Sequence, residues 1–134
     1  MPGELVLLVD PDRDVQATVG TLLVHEGYRV VAAPDTAAAL EAVRGQVPDV
    51  VIVDPAPAPR ILTGHTVLRE LGGLRGIPVI AVTADVIRFP VDRLLAEGYT
   101  AAQAKPCSPR TIARTVRRIL DTRKGPAEAA EPPA

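Results

Sequence analysis

The most regular feature of this chain is an alternation of short apolar runs with segments in which apolar residues recur every three or four positions. The short runs have the length and composition of buried strands, and the intervening segments have the period of amphipathic helices. Such alternation is typical of βα units packed around a parallel sheet. We therefore predict a single α/β domain built from five βα units.

The predicted elements follow the chain in order. The strands are expected at 5–10, 28–33, 50–53, 79–83 and 101–104. The helices are expected after Asp12 to about Glu26, from Thr36 to Val43, after Gly64, over 91–97, and from Pro109 onward. Ser108 and Pro109 have the residue types of an N-cap and a first helical position.

The end of the chain differs in composition from the rest. From about Arg123 onward the sequence contains alanine, proline and glutamate with too little apolar bulk to form a core. We therefore predict a folded domain over residues 1–121 and a flexible tail or linker over residues 122–134.

Composition and charge exclude several classes of protein. Fifteen lysines and arginines nearly balance sixteen aspartates and glutamates, so no overall positive field favours nucleic acid or an anionic membrane. The single Cys107 excludes an intrachain disulfide, and the apolar runs are too short to span a bilayer. We expect a cytoplasmic protein with no direct nucleic-acid or membrane partner.

Polar residues stand where the predicted strands end. Asp10, Asp54, Thr83 and Lys105 each end or follow a different strand. The carboxyl ends of parallel strands meet at one edge of the sheet, so these side chains should converge. Asp12 adds a third acid, and clustered carboxylates are suitable oxygen ligands for a divalent cation.

This pattern resembles the receiver domain of the response regulators of two-component signalling. In that family an acidic pair ends the first strand, a phosphoacceptor aspartate ends the third, serine or threonine ends the fourth, and Lys-Pro follows the fifth. Asp10, Asp54, Thr83 and the pair Lys105-Pro106 match in that order, and the resemblance covers residues 4–121. It implies a flavodoxin-like, doubly wound, five-stranded parallel sheet.

The resemblance also implies a chemistry and a set of partners. A histidine kinase or phosphotransfer protein would pass a phosphoryl group from a phosphohistidine to Asp54, and the chain would be a signalling domain and not an enzyme. Mg²⁺ would be held by Asp10, Asp12 and Asp54, while Lys105 and the Thr83 hydroxyl would contact phosphoryl oxygens.

Three departures from the family pattern accompany these matches. Pro11 replaces the second acid of the pair and offers no side-chain oxygen, so Mg²⁺ binding should be weak. Gly64 lies ten residues after Asp54, where the family glycine lies eight after the phosphoacceptor. Ala102 stands where the family has an aromatic residue that turns inward on activation, and Tyr99 lies three residues earlier.

Two functions from different classes therefore stay open. The first is a phosphorylated switch, favoured by Asp54, Thr83 and Lys105. The second is a pseudo-receiver that keeps the fold and acts as a phosphorylation-independent interaction or dimerisation module, favoured by Pro11 and Ala102. A nucleotide-binding enzyme is disfavoured, because the turn after the first strand carries acids and a proline where phosphate binding requires glycines.

A possible partner surface lies on the last helix. Its predicted outer side carries five arginines, namely Arg110, Arg114, Arg117, Arg118 and Arg123. These can be an ordinary solvated face with cations toward the helix C-terminus. In the resembling family, the face formed by the fourth helix, fifth strand and fifth helix forms homodimers or docks on an output domain, and that is the alternative.

Overall fold

The computed structural model describes residues 3–55 and 76–130. Five strands form one parallel sheet in the order β2-β1-β3-β4-β5. They are β1 (Leu5–Val9), β2 (Arg29–Ala33), β3 (Val50–Val53), β4 (Val79–Thr83) and β5 (Ala101–Ala104). The prediction of a doubly wound, flavodoxin-like α/β fold with five strands is confirmed.

Four helices lie in the described part of the chain and are numbered here in that order. They are α1 (Arg13–His25), α2 (Thr36–Ala42), α3 (Val91–Glu97) and α4 (Pro109–Ala130). The helices predicted as fourth and fifth are thus α3 and α4. The short helix predicted after Gly64, and the position of Gly64 itself, lie outside the described residues.

The central strands are apolar except for Thr83, because helices cover the sheet on both faces. Every residue of β1, β3 and β4 is buried, including the polar Thr83 at the end of β4. Continuous valine, leucine and isoleucine runs are the expected composition for parallel strands covered by helices on both sides. The outer strands β2 and β5 are more exposed, as their edge positions require.

Helices pack on each face of the sheet and form two cores. On one face α1 and α4 contribute the buried side chains Val19, Leu23, Ile112, Val116, Ile119 and Leu120. On the other face α2 and α3 contribute Ala39 and Leu94, and Tyr99 is buried in the same cluster. Val15 and Leu22 of α1 are partly buried and pack against the first of these clusters.

Helix α4 begins as predicted and ends later than predicted. The Thr111 backbone N–H donates to Ser108 Oγ at 3.2 Å, so Ser108 caps the helix. The backbone stays helical to Ala130, nine residues beyond the predicted end of the folded domain at residue 121. Gly125 and Pro126, residue types of the lowest helix propensity, lie inside this extension, so neither the propensity nor the apolar content of residues 122–130 predicted it. The flexibility of the tail stays a prediction.

We find no helix among the described residues that has both the length and the apolarity needed to cross a membrane.

Candidate functional site

The strand order brings the predicted site residues to one edge of the sheet. Strands β1 and β3 are neighbours, and β4 follows β3, so the positions after their last residues lie side by side. Asp10 follows β1, Asp54 follows β3, Thr83 ends β4 and Lys105 follows the edge strand β5. The convergence predicted from the sequence is therefore observed for these four residues.

Asp10 accepts hydrogen bonds at both carboxylate oxygens and at its backbone carbonyl oxygen. Its Oδ1 accepts from the Asp12 backbone N–H at 2.9 Å, and its Oδ2 accepts from Lys105 Nζ at 2.9 Å. Gln16 on α1 donates from Nε2 to the Asp10 carbonyl oxygen at 2.7 Å. With its side chain only 5% exposed, this carboxylate depends on these donors for its solvation.

Asp54, which follows the neighbouring strand β3, contacts the same Lys105 ammonium group. Its Oδ2 accepts from Lys105 Nζ at 3.1 Å, and its backbone N–H donates to the Val9 carbonyl at 3.2 Å. The side chain is 13% exposed, more than that of Asp10. Of the two carboxylates, Asp54 is therefore the more accessible to a reactant from solvent.

Lys105 contacts residues at the ends of three strands through its side chain and its backbone. Its ammonium group contacts Asp10 and Asp54, while its backbone N–H donates to the Thr83 carbonyl at 2.8 Å. Burial alone would lower the pKa of Lys105, but the hydrogen bonds and negative charges of Asp10 and Asp54 outweigh burial and raise that pKa. The lysine is accordingly a fixed positive charge between two carboxylates.

Asp12 has a different position from the one predicted. It is exposed and is the N-cap of α1, where its Oδ1 accepts from the Asp14 backbone N–H at 2.8 Å. Within residues 3–55 and 76–130, no three histidine, cysteine or acidic side chains form a group that can hold a metal ion. The predicted three-acid cluster is thus not formed, because a local backbone donor takes the Asp12 carboxylate. Metal ligation by Asp10 and Asp54 stays a prediction.

Thr83 is buried beside this group and is tied to the chain that follows it. Its Oγ1 accepts from the Asp85 backbone N–H at 3.0 Å, and the residue is 1% exposed. As an acceptor of that bond, the hydroxyl keeps its own proton for a further acceptor. A contact of the Thr83 hydroxyl with a phosphoryl group on Asp54 stays a prediction.

The position that carries an aromatic residue in the resembling family is half-buried Ala102. Tyr99, the other candidate, is 4% exposed within the core beneath α3. Burial, and to a lesser degree the charges of Glu97 and Asp54, raises the pKa of Tyr99 above its usual value. Tyr99 is thus a neutral core residue, and its backbone N–H donates to the Leu94 carbonyl at 3.2 Å.

Two contacts of the site were missed by the sequence analysis. Gln16 holds the Asp10 carbonyl, and Asp85 holds the Thr83 hydroxyl. The first is a polar residue one turn inside a helix, and the second acts through its backbone. A pattern of hydrophobic periodicity contains no signal for either contact.

Comparisons with known proteins agree with this geometry. The family model described as response regulator receiver domain matches residues 6–117. The transcriptional regulatory protein CreB of Escherichia coli K12 is 36% identical over 126 residues, which are 90% of this chain and 52% of CreB. A probable transcriptional regulator ycf27 of Guillardia theta is 35% identical over 120 residues, 87% of this chain and 45% of that protein. The chain therefore spans about half the length of these relatives.

Solved structures show the same fold. A CheY-like receiver domain protein from Methanospirillum hungatei superposes with a TM-score of 0.81 at 23% identity, covering 92% of this chain and 98% of that one. The chemotaxis response regulator CheY4 of Vibrio cholerae gives a TM-score of 0.73 at 27% identity, covering 87% and 98%. With the family model spanning most of the chain, this protein belongs to the response regulator receiver domain family.

Proposed function

We propose that this receiver domain accepts a phosphoryl group on Asp54 from the phosphohistidine of a histidine kinase or phosphotransfer protein. The single observation that carries the proposal is the placement of the more accessible carboxylate, Asp54, against an ammonium group that Asp10 also holds. Receiver domains take part in signalling, and the family interacts with histidine kinases and often with output domains or further copies.

The transfer requires positioning and charge neutralisation more than covalent help from other residues. An Asp54 carboxylate oxygen attacks the phosphorus atom, the new O–P bond forms, and the N–P bond to the donor imidazole breaks. The imidazole keeps the electron pair and takes up a proton. Lys105 neutralises phosphoryl charge, and the Thr83 hydroxyl donates to a second oxygen.

Receiver domains generally bind Mg²⁺ at the phosphorylation site. In this chain Asp10 and Asp54 would hold the ion, since both carboxylates point to one place and supply hard oxygen ligands. When bound, Mg²⁺ supplies positive charge to the phosphoryl oxygens. We propose that its binding is weak, because Pro11 provides no side-chain oxygen and the Asp12 carboxylate caps α1.

Intact mass spectrometry after incubation with Mg²⁺ and a small acyl phosphate tests the proposal. The wild type should gain the mass of one phosphoryl group, and Asp54→Asn should gain none. Asp92→Asn, which removes an exposed acid from the first turn of α3, is the matched control and should behave as the wild type. An unmodified wild type would favour the pseudo-receiver, for which the comparisons supply no support.

The partner surface is part of the same proposal. The exposed side of α4 presents Arg110, Arg114 and Arg118 at intervals of four residues, so they lie along one stripe. We infer that the face made by α3, β5 and α4 docks a second copy or an output domain. Light scattering should show that Arg114→Glu weakens any dimer formed on phosphorylation, whereas Arg44→Glu, at an exposed position after the end of α2, should not. An equal effect of both variants would point to bulk charge.

The cytoplasmic location stays a prediction.

A further inference from the structure

The peptide group between Asp10 and Pro11 is held by a side chain from α1. Proline has no backbone N–H, so the carbonyl oxygen of Asp10 is the polar atom through which this peptide group can form hydrogen bonds. Gln16 Nε2 donates to that oxygen at 2.7 Å, and the bond is partly buried. Gln16 therefore sets the orientation of the peptide group that leads out of β1.

Gln16 reaches this carbonyl because of its place in the helix. Asp12 caps α1 and Gln16 is the fourth helical residue, one turn inside. Side chains on a helix lean toward its N-terminus, which directs the Gln16 amide back toward the end of β1. The Gln16 backbone N–H also donates to the Asp12 carbonyl at 3.1 Å. One residue thus ties the helix to the chain on both sides of Pro11.

The bond at the carbonyl controls where Asp10 directs its carboxylate. On the other side of its Cα atom, the Asp10 backbone N–H donates to the Ala33 carbonyl at 3.0 Å. With the peptide groups on both sides of Asp10 held, the direction of its Cα–Cβ bond is fixed. The carboxylate then accepts from the Asp12 N–H and from the Lys105 ammonium group, each at 2.9 Å.

We propose that Gln16 is a positioning residue of the phosphotransfer site, whose amide directs the Asp10 carboxylate at Lys105. This inference rests on the proposed function, and Gln16 acts only through Asp10. Proline at position 11 makes the role necessary, because the peptide group has no N–H for a second hydrogen bond.

Loss of the Gln16 donor should displace the charges of the site. A partly buried carbonyl without a partner is costly, so the peptide group would turn toward water or another donor. Hydrogen bonds weaken steeply with length and misalignment, so the turned Asp10 carboxylate would hold Lys105 less well. The ammonium group that neutralises phosphoryl charge would then lose its fixed place, and a misplacement of about 1 Å can lower a rate about 100-fold.

Nitrogen-15 NMR of the Lys105 ammonium group in the metal-free full chain tests the inference. The chain contains two lysines, Lys105 and Lys124, so Lys124→Arg assigns their signals. Asp10→Asn removes the ion pair and sets the scale of the change. Gln16→Met keeps the length of the side chain without its donor, and we expect it to shift the Lys105 signal by at least half as much as Asp10→Asn does.

Phosphorylation by acetyl phosphate with Mg²⁺ is the second measurement. The rate in Gln16→Met should fall about tenfold, less than the loss from a misplacement of a full ångström. Gln16→Asn keeps an amide but is one methylene shorter, so it cannot reach the carbonyl and should match Gln16→Met. Gln46→Met, at an exposed position after α2, is the matched control and should behave as the wild type in both measurements.

The fold should survive these changes, because Val19 and Leu23 anchor α1 in the core at 3% and 0% exposure. If Gln16→Met does not fold, Gln16→Asn decides alone.

The outcomes separate the two proposals. An unshifted Lys105 signal in Gln16→Met, an equal shift in Gln46→Met, or an unchanged phosphorylation rate in Gln16→Met would overturn this inference and leave phosphotransfer intact. A shifted signal in Gln16→Met, together with a wild type that gains no phosphoryl group, would overturn phosphotransfer and leave the placement of Asp10 by Gln16 in force.

Discussion

Two neighbouring groups of residues at the edge of the sheet differ in how fully they match the resembling family. The transfer group, Asp10, Asp54 and Lys105, has the expected residue types and is joined by hydrogen bonds of 2.9 and 3.1 Å. The response group comprises Thr83, Asp85, Phe89, Tyr99 and Ala102. Thr83 matches the family pattern, whereas Ala102 replaces the family's aromatic residue.

The difference has a physical basis. A buried carboxylate such as Asp10 requires a compensating charge, so Lys105 cannot be replaced by a neutral residue without leaving that charge unpaired. The response group is held by neutral hydrogen bonds and by ring packing, which can be supplied from another segment of the chain. Charge therefore restricts sequence at the transfer group more strongly than shape does at the response group.

The largest effect is expected for Lys105→Met. Without the ammonium group, phosphorylation of Asp54 should slow by about 100-fold, as when one donor to developing charge is removed. The unpaired Asp10 should also lower the free energy of unfolding by about 3 kcal/mol. Phosphorylation kinetics and urea denaturation measure these two effects.

A double variant controls for the loss of the pair. Lys105→Met with Asp10→Asn removes both charges and should recover most of the stability without recovering phosphorylation. Full activity of Lys105→Met would show that the transfer group does not depend on its ammonium group.

Pro11→Asp should strengthen the transfer group. A carboxylate at this position adds an oxygen ligand for Mg²⁺, and we expect tighter binding by about tenfold, equivalent to about 1.4 kcal/mol, with faster phosphorylation. Calorimetry is the suitable measurement because the chain contains no tryptophan to report binding.

Pro11→Ala separates the added carboxylate from the removed proline ring and should bind Mg²⁺ as the wild type does. If the wild type already binds as tightly as Pro11→Asp, Asp12 or a backbone carbonyl supplies the missing ligand.

A smaller effect on the free energy of unfolding is expected at high pH, where the transfer group and the response group each contribute one titrating residue. The pKa values of Lys105 and Tyr99 are raised in the folded protein above their ordinary values of 10.5 and 10.0. As the pH rises, the unfolded chain releases these protons before the folded protein does. The contribution of these two groups to the free energy of unfolding is therefore fully present below about pH 10 and is lost as the pH rises above it. Denaturation midpoints between pH 8 and 11 should show this loss.

Two substitutions separate the contributions of Lys105 and Tyr99 to this loss of stability at high pH. Tyr99→Phe removes the titrating hydroxyl of the response group, and Lys105→Arg replaces the ammonium by a guanidinium that stays charged. Each should flatten part of the alkaline decrease. A profile unchanged in both variants would show that neither residue accounts for it.

The smallest effect is expected far from both groups. Removal of residues 125–134 should leave the thermal midpoint essentially unchanged, because the buried side chains of α4 lie at Ile112, Val116, Ile119 and Leu120. A clear decrease on truncation would show that the tail packs on the domain and that the predicted boundary at residue 121 is misplaced.

The sequence predicted the sheet better than it predicted the site. Continuous apolar runs end at Val9, Val53 and Thr83, so strand ends and the residues after them could be placed directly. Side-chain bonds to the backbone could not, since they depend on local geometry. Asp12 was predicted to face a metal ion and instead caps α1, and the roles of Gln16 and Asp85 were not predicted.

The ends of helices posed a related difficulty. The N-terminus of α4 was predicted from Ser108 and Pro109, whose residue types have a specific role there. Its C-terminal extension to Ala130 contains Gly125 and Pro126 and no apolar stripe, so neither helix propensity nor apolar periodicity predicted that the helix continues there.

The contacts of Lys105 also have a consequence for the edge of the sheet. Strand β5 consists of three alanines and a glutamine, all at least partly exposed, so apolar burial fastens it weakly. Lys105, which follows β5, extends its side chain past β4 to the carboxylates of Asp54 and Asp10, which follow β3 and β1. These ion pairs therefore help to hold β5 at the edge of the sheet. A group bound to Asp54 that draws the Lys105 ammonium away from Asp10 should therefore change how often β5 opens. The rate of amide hydrogen exchange at Gln103 and Ala104 should then depend on whether Asp54 carries that group.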